Sequence, residues 1–266
     1  MADLNYEIKN HIAYITLNRP DNLNAFSEEM IGLWIDALED VRDNDEVYAA
    51  LLTGAGRAFC AGGDVKAMAA GKGFYESSHD ITSTALARKN SLWKLIQRVP
   101  LILEEIDKPV VAKINGAAIG AGLDMALMCD IRIAGESAKM AESYLNVGIV
   151  PGDGGAYFLP KIIGKDKALD MFLTRKTVKG NEAADMGLVT YAVPDAELDT
   201  FTDEYMKKIA EGPQMAMRFT KRTVQQGDTI SLRGSLDMIS SFMGIVTELD
   251  DFKERTTALA EKMKKK

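Results

Sequence analysis

Histidine and cysteine are scarce in this chain. Its 266 residues include two of each: His11, His79, Cys60 and Cys129. Both cysteines sit in apolar runs, so a disulfide scaffold or a cysteine-based metal site is not expected, and the pair fits a reducing cytoplasm. No spacing of histidine, cysteine and carboxylate supports a metal centre. Basic residues are outnumbered, with 32 Lys and Arg against 39 Asp and Glu for a net charge of −7, which argues against a nucleic-acid-binding surface. Low-complexity segments are absent. So are apolar runs of membrane-spanning length, and the opening MADLNYEIKN lacks a basic segment followed by an apolar stretch, so neither a span nor a signal peptide is expected. No Gly-rich run ends in the Lys-Ser/Thr of a phosphate-binding P-loop. In Gly120-Ala121-Gly122 the third glycine place of a dinucleotide fingerprint falls on Met125, which rejects that fold.

What the chain does have is a 47% hydrophobic composition, enough for a sizeable core, and two glycine-rich turns that each follow an apolar β-like run. The first is Ala58-Phe59-Cys60-Ala61-Gly62-Gly63-Asp64, after VYAALLTGAGR. The second is Asn115-Gly116-Ala117-Ala118-Ile119-Gly120-Ala121-Gly122-Leu123-Asp124, after PVVAKI. Glycine permits sharp turns and close approach of a ligand to the main chain. Each turn is expected to open a helix, where unpaired N–H groups point outward. Two such turns can aim two N–H donors at one carbonyl oxygen, the arrangement of an oxyanion hole. Taken singly, each is also what any tight turn requires.

Period-two alternation predicts strands over Leu4–Lys9 and His11–Leu17 around a turn at Asn10. Ser27 is placed to cap a helix over Glu28–Val41, with Met30, Leu33, Trp34 and Leu38 on its apolar face. Further strands are expected at Val47–Thr53, Pro109–Ile114, Asp130–Ala134, Lys139–Ala141 and Val189–Val193. Helices are expected at Ser83–Val99, with Pro100 just beyond, and at Gly120–Cys129, Asp153–Ile163, Asp166–Thr174 and Asn181–Met186. Gly71 and Gly73 suggest a mobile loop. From Asp195 onward the pattern is nearly all helical. Strand–helix alternation followed by a helical tail predicts an α/β core with a helical appendage.

In this order, ITLNRPDNLNAFS, LLTGAGRAFCAGGDVKAM, KPVVAKINGAAIGAGLDMALMCDIRIA, VGIVPGDGGAYFLPKIIG and DFKERTTALAEKMKKK resemble the crotonase superfamily (enoyl-CoA hydratase/isomerase family) over nearly the whole chain. The resemblance implies an α/β spiral of ββα repeats over residues 1–198, carrying an acyl-CoA site. It implies a C-terminal helical region over residues 199–266 that packs against neighbours in a homotrimer or homohexamer. It also implies stabilisation of an enolate-like anion from an acyl-CoA thioester, with no cofactor beyond the coenzyme A of the substrate.

Matched residue by residue, the oxyanion donors are the N–H groups of Gly63 and Ala121; only the N–H is used, so alanine serves where relatives often carry glycine. Asp124 matches the first catalytic glutamate of the hydratases, one helical turn from Ala121, where a carboxylate can orient water or shuttle a proton. It is also where a helix dipole favours an acidic residue. Tyr144 matches the second glutamate and is the main departure, since a phenol with an ordinary pKa of about 10 is a poor proton shuttle. Two nearby carboxyls are candidates to stand in. Glu142 shares a face with Tyr144 if the segment is extended, and burial would raise its pKa. Asp153 lies one position from an acid that isomerases, dehalogenases and hydrolases of the superfamily carry, but Asp is equally common there as an N-cap.

Relatives meet coenzyme A through Ala61 to Lys66, here Ala61, Gly63, Asp64, Val65 and Lys66, with Asn22 and Leu23 on the pantetheine side. Lys66, Arg57 and the tail's Lys262 are the expected phosphate partners, although each alone is also an ordinary surface charge. His11 reads as structural or exposed. His79 falls in the variable stretch Gly71–Thr82 that covers the acyl pocket in relatives, and Tyr157 and Phe158 are expected at that pocket. The expected reaction is addition of water to an α,β-unsaturated acyl-CoA. Double-bond isomerisation, carbon–carbon bond hydrolysis and a catalytically silent acyl-CoA-binding oligomer are the alternatives.

Overall fold

The computed structural model describes residues 1–69 and 84–264. Its ten strands form two sheets. In the first, β1 (Leu4–Lys9), β2 (Ile12–Leu17), β3 (Ala49–Gly54), β5 (Val110–Ile114), β7 (Ile131–Gly135) and β10 (Tyr191–Val193) lie in the order β1-β2-β3-β5-β7-β10. In the second, β4 (Ala58–Cys60), β6 (Ala117–Ile119), β8 (Lys139–Ala141) and β9 (Thr177–Lys179) lie in the order β4-β6-β8-β9. β1 and β2 form an antiparallel hairpin whose turn residues, Asn10 and His11, have φ of 50° and 63°, the positive values that a tight two-residue hairpin needs.

From β3 on, the chain repeats one move: a strand in the large sheet, a turn, a short strand in the small sheet, then a helix. The pairs β3–β4, β5–β6 and β7–β8 are three passes of a ββα spiral. Because β2, β3, β5, β7 and β10 run parallel, the sheet is covered on both faces and its strands are almost continuously apolar. Ala50, Leu52, Val110 and Ala112 point into the main core with Phe26, Trp34 and Ile102. Ala49, Leu51, Val111 and Ile133 point the other way, onto helix Leu198–Ala210 through Leu198 and Met206.

The first helix runs Glu28–Asp43, and Ser27 Oγ accepts from Met30 N–H as expected. The helix expected over Ser83–Val99 is instead divided into Thr84–Ser91, a π-helical turn Leu92–Ile96, and Arg98–Glu105. Pro100 lies inside this last helix rather than beyond it; in the first turn its missing N–H costs no helical bond. Helix Val65–Ala69 follows the first glycine-rich turn, while Gly71, Gly73 and His79 lie outside the described residues.

Helices Gln214–Gln226, Leu232–Glu248 and Asp250–Lys264 contain no buried residue. Arg218 pairs with Asp107 at 2.8 Å and Lys221 with Asp130 at 2.7 Å, tying the first of them to the core. The next is joined to it by Phe219 stacked on Phe242.

Candidate active site

The small sheet explains why distant segments meet. β4, β6 and β8 are parallel neighbours, so their carboxyl ends lie side by side. Those ends carry Ala61–Gly63, Gly120–Asp124 and Glu142–Tyr144 respectively. Gly62, at φ 78°, is where the first turn touches the second: a Cβ there would stand 2.6 Å from Ile119 O and 3.0 Å from Ala121 N. A Cβ at Gly122 would overlap Cys60 O, so helix Ala121–Leu127 also needs glycine to seat its first turn on β4. Neither Gly63 N–H nor Ala121 N–H has an acceptor among the described residues. Buried or half-buried N–H groups are rarely left so, and these two open from adjacent turns.

Asn22 and Leu23 are brought to the same turn. Ala61 N–H donates to Leu23 O at 2.9 Å, and Phe26 N–H to Gly62 O at 2.8 Å. Asp64 Oδ1 accepts from Ala67 N–H at 3.0 Å, holding the short helix that carries Val65 and Lys66. Asn22, Val65 and Lys66 are exposed beside it. Lys262 is exposed on the last helix, which packs on Leu232–Glu248, and makes no hydrogen bond or ion pair among the described residues.

Tyr144 stands between two carboxyl groups, and a third, Glu142, neighbours Asp124. The Tyr144 hydroxyl is 2.6 Å from Asp124 Oδ2 and 2.8 Å from Asp153 Oδ2. Asp124 Oδ2 also accepts from Gly155 N–H at 2.8 Å, at the start of helix Gly155–Ile163. That helix is therefore capped by Asp124, thirty-one residues away in sequence, and not by Asp153; its N-cap residue is Gly154, with φ 125° and no side-chain bond. Glu142 is wholly buried, and neither of its oxygens has a hydrogen-bond partner among the described residues.

Burial dominates the electrostatics. It lifts Asp124 to about 7 against the lowering pull of the Tyr144 and Gly155 hydrogen bonds, with Asp153 adding repulsion. Burial together with the neighbouring Asp124 lifts Glu142 to about 10. Asp153 is raised by burial, with Tyr144 opposing, and the Tyr144 phenol is raised far beyond its ordinary value. Among the described residues no cation contributes to any of the three carboxyls. Nor does any group of three or more His, Cys, Asp or Glu among them have the geometry to hold a metal ion.

A cleft of about 960 Å³ opens next to this cluster, walled by Trp93, Gln97, Met128, Asp153, Tyr157 and Phe158 among others. Of the three carboxyls only Asp153 is on its wall. Gln97 Nε2 donates to Gly152 O at 2.7 Å and fixes the turn that presents Asp153. Gly63 and Ala121 are not part of that wall.

The model of the family described as enoyl-CoA hydratase/isomerase matches residues 7–266. The chain belongs to this family. It is 31% identical to the short-chain-enoyl-CoA hydratase of Clostridium acetobutylicum, over 97% of this chain and 94% of that protein. It is 29% identical to the 1,2-epoxyphenylacetyl-CoA isomerase of Escherichia coli, over 96% of this chain and 94% of that protein. The crystal structure of enoyl-CoA hydratase from Bacillus anthracis superimposes with a TM-score of 0.87 at 29% identity, covering 98% of this chain and 96% of that one. As a member of the enoyl-CoA hydratase/isomerase family, the chain is an acyl-CoA-transforming enzyme of the lyase or isomerase type.

Within this crotonase-fold chain, reasoning from the sequence missed two residues that assemble the site. Asn24 is buried with φ 56°; its Nδ2 donates to Ala55 O, Ala58 O and Phe59 O, and its Oδ1 accepts from Arg19 N–H. An asparagine two residues beyond Pro20-Asp21-Asn22 was a signal for such a left-handed position. Gly155 was the other: a Cβ there would overlap Asp124 Oδ1 and stand 2.7 Å from its Cγ. Its partner is too distant in sequence for any local pattern to reveal the need.

Proposed function

We propose that this enzyme adds water reversibly across the α,β double bond of an enoyl-CoA thioester. One observation supports the reading above others. Tyr144 has a single hydroxyl proton, yet its oxygen lies at hydrogen-bond distance from both Asp124 and Asp153. Both bonds are made only if one of the two aspartates carries a proton and the other accepts one. A proton donor and a proton acceptor are thus held together, as addition of water across an activated double bond demands. In this reading Gly63 and Ala121 N–H receive the thioester oxygen as the enolate forms, each donor supplying ~3 kcal/mol of transition-state stabilisation. Asp124 and Asp153 manage water and proton, and Glu142 stays neutral behind them.

Isomerisation is the second reading, favoured by Asp153 being the single carboxyl of the three on the cleft wall; one base that removes and returns a proton is enough for it. Coenzyme A is assigned to Asn22, Leu23, Ala61, Gly63, Asp64, Val65 and Lys66, with Lys262 reaching a neighbouring subunit's ligand. The subunits form a homotrimer or homohexamer through residues 199–266, where Leu232, Leu236, Met243, Leu259 and Met263 are each more than half exposed; light scattering on the purified protein reads the mass directly. No cofactor beyond the thioester, no nucleic acid and no membrane takes part, and the setting is the cytoplasm.

The deciding experiment incubates the protein with a panel of enoyl-CoA thioesters and follows products by mass spectrometry. Gain of one water with CoA retained supports hydration. A product of unchanged mass and new retention time replaces it with isomerisation. Binding without turnover makes the chain a silent acyl-CoA binder and overturns both.

A further inference from the structure

The one-proton arithmetic at Tyr144 has a directional solution. Asp124 Oδ2 has two fixed neighbours able to donate, Gly155 N–H and Tyr144 O–H. Among the described residues Asp153 Oδ2 has Tyr144 alone, and its buried Oδ1 has no partner. The arrangement with most bonds therefore makes Asp124 the carboxylate, lets Tyr144 donate to it, and makes Asp153 the acid that donates to the Tyr144 oxygen. Glu142 packs beside Asp124 as a third carboxyl, held neutral by burial and by the neighbouring Asp124. Among the described residues the further ionisable neighbour is the buried Cys60 thiol, which burial holds protonated, with a pKa of about 12.

We propose that Tyr144 is a proton relay, through which Asp153 on the cleft wall exchanges protons with the buried Asp124. The proposal rests on the reading of this cluster as the catalytic centre. A proton leaving the substrate or its water binds Asp153 Oδ1, an oxygen buried in the cleft wall that the substrate reaches by displacing the side chains over it. The proton on Asp153 Oδ2 passes to the Tyr144 oxygen, and the Tyr144 hydroxyl proton passes to Asp124. Asp153 is again a neutral acid, Tyr144 is again a neutral phenol, and Asp124 has become the acid. Running the three transfers backwards returns one proton to a carbon of the substrate. No charge ever rests on Tyr144, so its very high phenol pKa, which would stop it acting as a lone acid or base, is no obstacle. Asp153 alone touches the substrate; Tyr144 and Asp124 act through it. The negative charge moves from Asp124 to the substrate side and back, while both hydroxyl hydrogen bonds are kept throughout.

The test compares wild type, Tyr144→Phe, Asp124→Asn and the double variant. If the relay operates, each single variant loses kcat on the order of 100-fold with KM little changed, and the double variant loses no more than either single one, because all three break one path. Full turnover in Tyr144→Phe, or independent losses that multiply in the double variant, would overturn it. A measurement on unaltered enzyme guards against a variant that fails to fold: kcat in mixtures of light and heavy water should fall along a curve, since several protons move together. A straight line overturns the relay. Infrared titration of the carboxylic C=O bands needs no substrate at all. The band assigned to the aspartate pair should shift its midpoint between wild type and Tyr144→Phe, and an unchanged midpoint overturns the coupling even if every candidate thioester proves inert. Failure of the substrate panel with a shifted midpoint would sink the assigned reaction and leave the relay standing.

Discussion

The carboxyl of Asp124 fills the space that a side chain on residue 155 would occupy. Gly155 N–H donates to its Oδ2 at 2.8 Å, and a Cβ on Gly155 would stand 2.7 Å from its Cγ. One glycine thus supplies both the room for the buried carboxylate and a hydrogen bond to it.

Gly155→Ala should expel the Asp124 carboxyl from this position. Overpacking of this kind costs about 1–3 kcal/mol, and the hydrogen bonds from Tyr144 and Gly155 are lost with it. The expected result is a lowered Tm together with a collapse of kcat in the enzyme that remains folded. Tm by calorimetry and turnover of the panel's best substrate, measured on one preparation, check both parts.

Gly62→Ala attacks the other half of the site. The new Cβ meets Ile119 O at 2.6 Å from a φ of 78°, which separates the two turns carrying Gly63 and Ala121. If those N–H groups serve as oxyanion donors, kcat should fall on the order of 100-fold or more. Binding of the saturated acyl-CoA, read by calorimetric titration, should be weakened far less. Equal loss in both would place the damage in binding instead.

Glu142→Gln should make folding less sensitive to pH. An unfolded glutamate ionises near 4.3, whereas burial and Asp124 hold folded Glu142 at about 10. Between those values the folded state binds the extra proton, so the Glu142 contribution to stability is full below the unfolded pKa. It is lost as pH rises toward the folded one. Asp124, at about 7, adds a loss of the same sign between about 4 and 7. Replacing Glu142 removes one such group, so the Tm difference between variant and wild type should grow from pH 5 to pH 9. The corresponding difference in unfolding free energy should change by at most about 1.4 kcal/mol per pH unit. A difference that stays flat across this range would show that Glu142 ionises normally in the folded chain.

Local chemistry explains which parts of the molecule were legible beforehand. Ser27 announced the helix at Glu28, period-two alternation announced β1 and β2, and the apolar run before Asn115 announced β5, because caps, alternation and apolar runs act within a few residues. Lys139–Ala141 was also read with its observed bounds. The three-residue strands β4, β6 and β9 escaped notice, being too short for any periodicity and embedded in the glycine-rich turns or just after a helix. The π-helical turn at Leu92–Ile96 left no mark in an otherwise helical pattern. At the candidate site, Gly63, Ala121, Asp124 and Tyr144 stand out in the sequence through residue-by-residue resemblance to the family. Their relationships do not, since the contacts of Tyr144 with Asp124 and Asp153 span twenty and nine residues. Asp153 was ambiguous between cap and acid until Gly154 and Asp124 proved to divide the capping between them.

The final helices have a consequence for how the chain breathes. Leu232–Glu248 and Asp250–Lys264 bury no residue within their own chain, and helices of such length are marginal in water by themselves. Their backbone amides therefore have little local protection in an isolated subunit, while those of the parallel strands inherit the stability of the whole core. Hydrogen-exchange rates at the two ends of the sequence should separate widely in a lone subunit and draw together when chains associate. The tail then reports, amide by amide, the company the subunit keeps.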